Sequence, residues 1–126
     1  MVISILFASL GMTDTASARQ WAVIDETAFR ADQQKGERIV LLFYSWWHRP
    51  SRREKNAVEV LTDIKAYAQL KTYIVGFGEE QYKNLQDQYG VEKSSTLIVF
   101  KGSEIVGRGV NLEDGDAVEE LVRKAY

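Results

Sequence analysis

The most informative stretch of the sequence is IVLLFYSWWHRPSR, residues 39–52. Its first part, residues 39–44, is an unbroken run of β-branched, aliphatic and aromatic side chains. A strand with one wet face alternates apolar and polar residues, whereas a strand covered on both faces is apolar throughout. Residues 39–44 are therefore predicted to form a central strand of a parallel pair, covered on both faces.

A helix is predicted after this strand, from Ser51 to Ala68. Apolar residues recur there with the 3.6-residue period of a helix, at Ala57, Val60, Leu61, Ile64 and Ala68. Ser51 and Glu54 also have the spacing of a capping box, in which two side chains bond free backbone amides of the first turn. We therefore expect Ser51 to be the N-cap residue of this helix.

The rest of the chain alternates strands and helices. The pattern predicts strands at 20–24 and 73–77, helices at 25–34 and 79–89 (ended by Gly90), a hairpin at 96–100 and 104–110, and a last helix burying Val118, Leu121, Val122 and Ala125. Strand, helix and strand in this order form a right-handed crossover. The predicted class is α/β, with a parallel βαβ half followed by an antiparallel hairpin and a C-terminal helix.

Composition limits the chemistry that the chain can perform. Its 126 residues suffice for one globular domain. There is no cysteine and His48 is the sole histidine, which excludes disulfides, thiolate nucleophiles, iron–sulfur clusters, thiolate-bound zinc and a multi-histidine metal site. The net charge of −2 gives no attraction to nucleic acid or anionic lipid. We therefore expect no metal, no cofactor and no nucleic-acid partner.

The N-terminal residues 1–18, MVISILFASLGMTDTASA, are typical of a secretory signal peptide. The apolar run at 2–12 is too short to span a bilayer, and Ala16-Ser17-Ala18 has the small-residue form of a cleavage site. Cleavage after Ala18 would leave one domain, residues 19–126, exported to the periplasm or medium and without a membrane span. The alternative is an extra apolar element docked on the fold of a cytoplasmic protein.

Two segments resemble the thioredoxin family. Residues 43–52, FYSWWHRPSR, resemble the family's F-W-A-x-W-C-G-P-C-K, with Trp47 and Pro50 on the motif's tryptophan and proline. Residues 89–101, YGVEKSSTLIVFK, resemble its Y-G-I-x-x-x-P-T-L-x-x-F-K. The likeness runs from about residue 20 to the C-terminus. It implies a thioredoxin-like three-layer α/β/α sandwich with a mixed central sheet.

Both redox cysteines of that motif are replaced. The resemblance places His48 where the family has its nucleophilic cysteine and Ser51 where it has the resolving one, with Arg49 and Pro50 between them. Thiol–disulfide exchange needs a thiolate to attack a disulfide and a second thiol to release the product. The sequence therefore predicts a redox-inactive domain that is not an enzyme of this type.

Three further positions depart from the family's pattern. Leu42 stands in place of a buried aspartate, Ser95 in place of a cis-proline, and Asn111 in place of a glycine beside the substrate groove. A cis bond before a residue other than proline costs about 2.5–4 kcal/mol. We therefore expect a trans bond before Ser95 and a reshaped loop.

The degenerate motif is also rich in residues that anchor interfaces, chiefly tryptophan and arginine. The resemblance implies that this corner faces polypeptide substrates, so we expect a module that binds a protein or peptide, as a chaperone, adaptor or assembly factor does. Arginines in the first turn oppose the helix dipole, which favours an anionic partner. The candidate partner-binding residues are Trp46, Trp47, His48, Arg49, Arg52, Arg53, Ser95 and Asn111.

Alternatives remain open at the sequence level. Trp46 could belong to the core, Trp47 could cover the helix end, and the arginines could form a solvated face. A non-thiol enzyme, such as a hydrolase, could use His48 and Ser51, although a cap role for Ser51 competes with this. The domain could also assist a true thiol–disulfide oxidoreductase, a reading that depends on fold analogy.

Overall fold

The computed structural model describes residues 21–126, so the predicted signal peptide at 1–18 lies outside the described residues. Five strands form one mixed sheet in the order β1-β3-β2-β4-β5. The strands are β1 (Ala22–Val23), β2 (Arg38–Tyr44), β3 (Lys71–Gly76), β4 (Thr96–Lys101) and β5 (Glu104–Val110). β2 pairs in parallel with β3 and antiparallel with β4, which confirms the predicted central strand and the mixed sheet.

Helices cover both faces of this sheet. They are α1 (Glu26–Gln34), α2 (Arg49–Thr62), α3 (Lys83–Gln88) and α4 (Gly115–Arg123), with 3₁₀ turns at Lys65–Tyr67 and Glu80–Tyr82. Alternate residues of β2 enter two separate cores: Leu42 packs with α2 and α4, and Phe43 packs with α1 and α3. The architecture is therefore the predicted three-layer α/β/α sandwich. Within the described residues, no helix is long and apolar enough to cross a membrane.

The predicted start and end of α2 were wrong, and its predicted buried face was right only for Ala57 and Leu61, which pack against the core. The helix begins at Arg49 and ends at Thr62, with His48 as the N-cap residue and Pro50 in the first turn. Proline favours the first turn because its φ is already helical and it has no N–H to leave unbonded. Val60 is 63% exposed and Ile64 lies beyond the helix, whereas the buried face carries Ser51, Glu54, Val58, Leu61 and Thr62. Three polar residues on that face, Ser51, Glu54 and Thr62, concealed its period.

The other elements agree with the sequence apart from their ends. The predicted strand at 20–24 forms only two residues of β1, and the predicted helix at 79–89 divides into a 3₁₀ turn and α3. Gly90 ends that helix with a φ of +60°, a conformation that glycine adopts without strain. The hairpin and α4 form as predicted, and Val118, Leu121, Val122 and Ala125 are buried.

Candidate functional site

The degenerate motif lies on the loop that leaves β2, the strand at the centre of the sheet. Residues 45–48, which we call the tryptophan loop, connect β2 to α2. The loop is closed by a hydrogen bond from the His48 N–H to the Ser45 carbonyl oxygen at 3.0 Å. The Ser51 and Arg52 N–H groups in turn donate to the His48 carbonyl oxygen, which begins α2. The motif is thereby fixed between a buried strand and a long helix.

Ser51 is not the helix cap that the sequence suggested. It lies inside the first turn and is fully buried, because α2 begins two residues earlier. Its Oγ accepts the Ser45 N–H at 3.1 Å and lies 2.6 Å from Ser95 Oγ. The residue in the resolving-cysteine position therefore ties α2 to the start of β4.

His48 joins the same group of hydroxyls. Its Nδ1 lies 3.0 Å from Ser95 Oγ and 3.3 Å from Ser94 Oγ, and these two hydroxyls link the imidazole to the Ser51 hydroxyl. We call these four residues the hydroxyl cluster: His48, Ser51, Ser94 and Ser95. Sequence reasoning missed Ser94, because nothing in the segment 89–101 marks this serine as a site residue. Its proximity to His48 depends on folding across 46 residues of chain.

Ser95 has the most constrained backbone of the site. The bond before it is trans, as predicted, and its φ is +65°, a region that residues other than glycine seldom adopt. Its N–H donates to the Phe43 carbonyl oxygen at 2.8 Å, and its carbonyl accepts the Asn111 N–H at 3.0 Å. Ser95 is fully buried, so it supports the tryptophan loop from below instead of offering a surface to a partner. Asn111 is exposed, with a φ of +55°.

The two tryptophans of the loop are exposed. Trp46 is 70% and Trp47 is 65% accessible, and their rings pack edge to face with centroids 5.9 Å apart. The alternative placing Trp46 in the core was therefore wrong. Trp21 differs, because it packs against the core beside α2.

The three arginines of α2 have different surroundings. Arg52 donates to the Trp46 carbonyl oxygen at 3.0 Å, which braces the tryptophan loop. Arg53 forms an ion pair with Glu113 at 3.1 Å, between side chains that are each about half exposed. Arg49 is exposed, and none of the hydrogen bonds or ion pairs found in the described part of the chain involves its guanidinium group.

Two buried residues lie beneath the motif: Leu42 on β2, and Glu54 on α2, one helical turn after Ser51. Leu42 is fully buried in the core between the sheet and α2. Glu54 is fully buried too; its Oε2 accepts the Leu112 N–H at 2.5 Å, and its Oε1 has no hydrogen-bond partner within the described residues. Burial raises the pKa of Glu54 from its ordinary value of 4.5 to about 8, the Leu112 N–H lowers that pKa, and the charge of Glu113 raises it. Sequence reasoning assigned Glu54 to a capping box and so missed its burial.

This arrangement limits the available chemistry. With no cysteine, the chain has no thiol of its own for disulfide exchange. His48 contacts serine hydroxyls, but Ser51 and Ser95 are fully buried, whereas a nucleophile must reach its substrate. Among residues 21–126, no three histidine, aspartate or glutamate side chains are grouped so that they could hold a metal ion.

Solved structures with a similar fold include thioredoxins from several organisms. Trxlp from Edwardsiella tarda matches with a TM-score of 0.73 at 22% identity, over 81% of this chain and 98% of its own. A mutant thioredoxin from Halobacterium salinarum matches with a TM-score of 0.68 at 25% identity, over 83% and 88%. Oxidised thioredoxin O2 from Arabidopsis thaliana matches with 0.68 at 22% identity, over 86% and 96%.

Comparisons of sequence alone add no closer relative. No family model matches the chain, and no curated protein matches it. The structural likenesses cover nearly the whole length of the solved chains and agree with the motifs around residues 43–52 and 89–101. The chain therefore has a thioredoxin-like fold in which both redox cysteines are absent.

Proposed function

We propose that this thioredoxin-like fold, which lacks both redox cysteines, is a binding module that holds a protein or peptide on the tryptophan loop. The observation that carries the proposal is the exposure of Trp46 and Trp47, 70% and 65% accessible. Leaving two neighbouring indoles in water forgoes stabilisation that burial would provide. Exposed apolar patches of this kind commonly mark interaction sites, and tryptophan is among the residues most enriched in interface hot spots.

The pair is also organised before a partner arrives. The edge-to-face contact between Trp46 and Trp47 sets the relative orientation of the rings, and the bond from Arg52 to the Trp46 carbonyl oxygen braces the backbone. Side chains that are already ordered lose less conformational entropy when they bind. A rigid aromatic pair therefore suits a recognition surface.

The charges around the tryptophan loop favour an anionic partner. Arg53 is neutralised by Glu113, whereas Arg52 donates to an uncharged carbonyl and forms no ion pair in the described part of the chain. Arg49 adds a second exposed positive charge in a chain whose net charge is −2. A peptide with carboxylates beside an apolar side chain would match both the arginines and the indoles.

Peptide selection with the full chain tests this proposal. A library of random peptides is selected on the wild-type chain and counter-selected on Trp46→Ala/Trp47→Ala, and retained peptides are measured by calorimetry. We expect acidic peptides that bind the wild type at least about tenfold more tightly than the double variant. Val60→Ser is the matched control, because it changes an exposed apolar residue elsewhere on α2. Equal affinity for the wild type and the double variant would refute the proposal.

Charge preference is tested separately with Arg49→Glu. Arg49 is the cleaner choice because Arg52 also holds the Trp46 carbonyl, so its replacement would disturb the loop. We expect Arg49→Glu to weaken acidic peptides and to leave neutral peptides unchanged. Equal weakening of both kinds would show that charge does not select the partner.

Two binding roles can be separated by their breadth. A general chaperone would slow the aggregation of unrelated unfolded proteins, whereas a dedicated adaptor would protect none of them and bind one partner. An auxiliary of a thiol–disulfide pathway would bind an oxidoreductase. Light scattering of an unrelated unfolding protein, with and without the chain, distinguishes the first role from the others.

Export remains part of the same proposal. Residues 1–18 are typical of a cleaved signal, and residues 21–126 contain the sheet and helices described above. We expect N-terminal sequencing of the protein from its native cells to begin at Arg19 in the exported fraction. A protein that begins at Met1 in the cytoplasm would contradict export.

A further inference from the structure

The carboxyl group of Glu54 is a buried acid that the proposed binding role does not use. It projects from α2 one turn after Ser51 and is fully buried, whereas glutamate is almost never buried without a partner. Only one of its oxygens is bonded: Oε2 accepts the Leu112 N–H at 2.5 Å, and Oε1 is without a partner in the described part of the chain. An ionised carboxylate in this position would leave charge buried and half unsatisfied.

Glu54 is one of the residues that hold the loop after β5, together with Ser95 and Arg53. This loop, residues 111–113, follows the last residue of β5 and precedes α4. Asn111 donates its N–H to the Ser95 carbonyl oxygen, and the next residue, Leu112, donates to Glu54. Successive N–H groups therefore fasten the loop to the hydroxyl cluster on one side and to α2 on the other.

Within residues 21–126, no hydrogen bond or ion pair joins Glu54 to a cationic side chain. The faces of β2 and α4 that pack with α2 are apolar and include Leu42 and Val118. The charged residue of the loop is Glu113, and its negative charge disfavours ionisation of Glu54. The Glu113 carboxylate is itself paired with Arg53 at 3.1 Å. A neutral Glu54 avoids this repulsion and still accepts the Leu112 N–H through its carbonyl oxygen.

We propose that Glu54 is a proton-dependent positioning residue: in its neutral form it fastens loop 111–113 to α2, and its ionisation loosens that loop beside the hydroxyl cluster. The bond to the Leu112 N–H by itself favours the ionised carboxylate, so the loosening comes from the larger cost of a buried charge, which is relieved when the loop opens and water reaches the carboxylate. The inference concerns the fold itself and does not depend on the binding role proposed above. The loop includes Asn111, which donates its N–H to Ser95 of the hydroxyl cluster. The proton state of Glu54 therefore controls the position of Asn111 beside that cluster.

The expected pH range follows from the direction of the shift. Burial raises the pKa of Glu54 from 4.5 to about 8 in the folded chain. The folded state therefore binds more protons than the unfolded state between these values, and stability falls as pH rises through this range. The contribution of Glu54 is fully present below pH 4.5 and fully lost above pH 8, while ionisation within the folded chain, which loosens the loop, is centred near pH 8.

The full chain can be tested by NMR between pH 6 and 10. We expect the ¹⁵N shift of the Leu112 amide to titrate near pH 8, and its protection from hydrogen exchange, corrected for intrinsic rates, to fall roughly tenfold above that pH. Glu54→Gln keeps the shape and the acceptor but cannot ionise, so both transitions should vanish. Glu59→Gln, which removes a more exposed carboxylate of α2, is the matched control and should keep them.

Several outcomes would overturn this inference. It fails if the Leu112 amide does not change with pH in the wild type, or if its transition persists in Glu54→Gln. If Glu54→Gln does not fold, the wild type alone decides: the ¹³C shift of the Glu54 carboxyl and the Leu112 amide shift must titrate with one midpoint, and separate midpoints overturn the inference. A fall in stability from pH 5 to 8 that is equal in wild type and Glu54→Gln would also contradict it.

Discussion

The hydroxyl cluster and the tryptophan loop meet at His48, and their other members are opposite in character. In the hydroxyl cluster, Ser51 and Ser95 are fully buried and bond each other and the backbone. In the loop, Trp46 and Trp47 are exposed although they are large hydrophobic residues. Ser51, at one of the family's cysteine positions, therefore contributes hydrogen bonds to the fold, whereas the indoles above it remain exposed, as the proposed binding role requires.

Ser95→Val should produce the largest loss of stability, because it attacks the centre of the hydroxyl cluster. Valine removes the hydroxyl and places a β-branched side chain at a φ of +65°. We expect the free energy of unfolding to fall by about 3 kcal/mol in urea denaturation, from strain and lost hydrogen bonds together. Ser95→Gly, which tolerates that φ, should lose clearly less; an equal loss would show that backbone strain is not involved.

Ser51→Ala should have the next largest effect. It leaves the buried Ser45 N–H without its acceptor and removes the 2.6 Å contact to Ser95, at a cost of about 1–3 kcal/mol. Ser103→Ala, in the exposed hairpin turn, is the control and should change stability by less than about 0.5 kcal/mol. Turnover of an activated ester by the wild type that disappears in Ser51→Ala would instead assign the hydroxyl cluster to an enzyme.

The ion pair between Arg53 and Glu113 should matter less. Both side chains are about half exposed, and such pairs typically contribute less than about 1 kcal/mol. A double-mutant cycle with Arg53→Gln and Glu113→Gln measures the coupling, which should decrease further at high salt. A coupling above about 2 kcal/mol would place this pair with the buried cluster and not with the exposed surface.

Trp46→Ala/Trp47→Ala should change stability least, by less than about 0.5 kcal/mol, since both side chains are exposed. The same change should abolish the peptide binding proposed above. Substitutions in the hydroxyl cluster should thus lower stability, whereas substitutions of the two tryptophans should lower binding and leave stability nearly unchanged. Urea denaturation provides the first measurement. A large loss of stability would mean that the indoles cover the core in solution, and the contrast between the two regions would not hold.

The sheet and its layers could be predicted from sequence because they depend on local patterns. The apolar run of β2 indicates a strand covered on both faces, and the spacing of Val118, Leu121 and Val122 gives the buried face of α4. The relative order of these elements then leaves few arrangements.

The details of the site could not be predicted in this way. Ser51 has the spacing of a cap, but its partner is Ser95, 44 residues further on, and only the folded chain brings them together. Glu54 illustrates the same limit, because its burial depends on the Leu112 N–H, 58 residues away. Periodicity assigns polar residues to the solvent side, and it fails where a distant backbone group satisfies them.

The backbone at Ser95 also bears on how this fold could change by mutation. Proline has a φ fixed near −65° and no N–H, whereas Ser95 has a φ of +65° and donates its N–H to Phe43 at 2.8 Å. A single substitution to the family's proline would thus lose a bond and require a rotation of about 130°. Introducing cysteines at positions 48 and 51 would leave that obstacle in place, so thiols alone would not give this site the backbone that the family's proline requires.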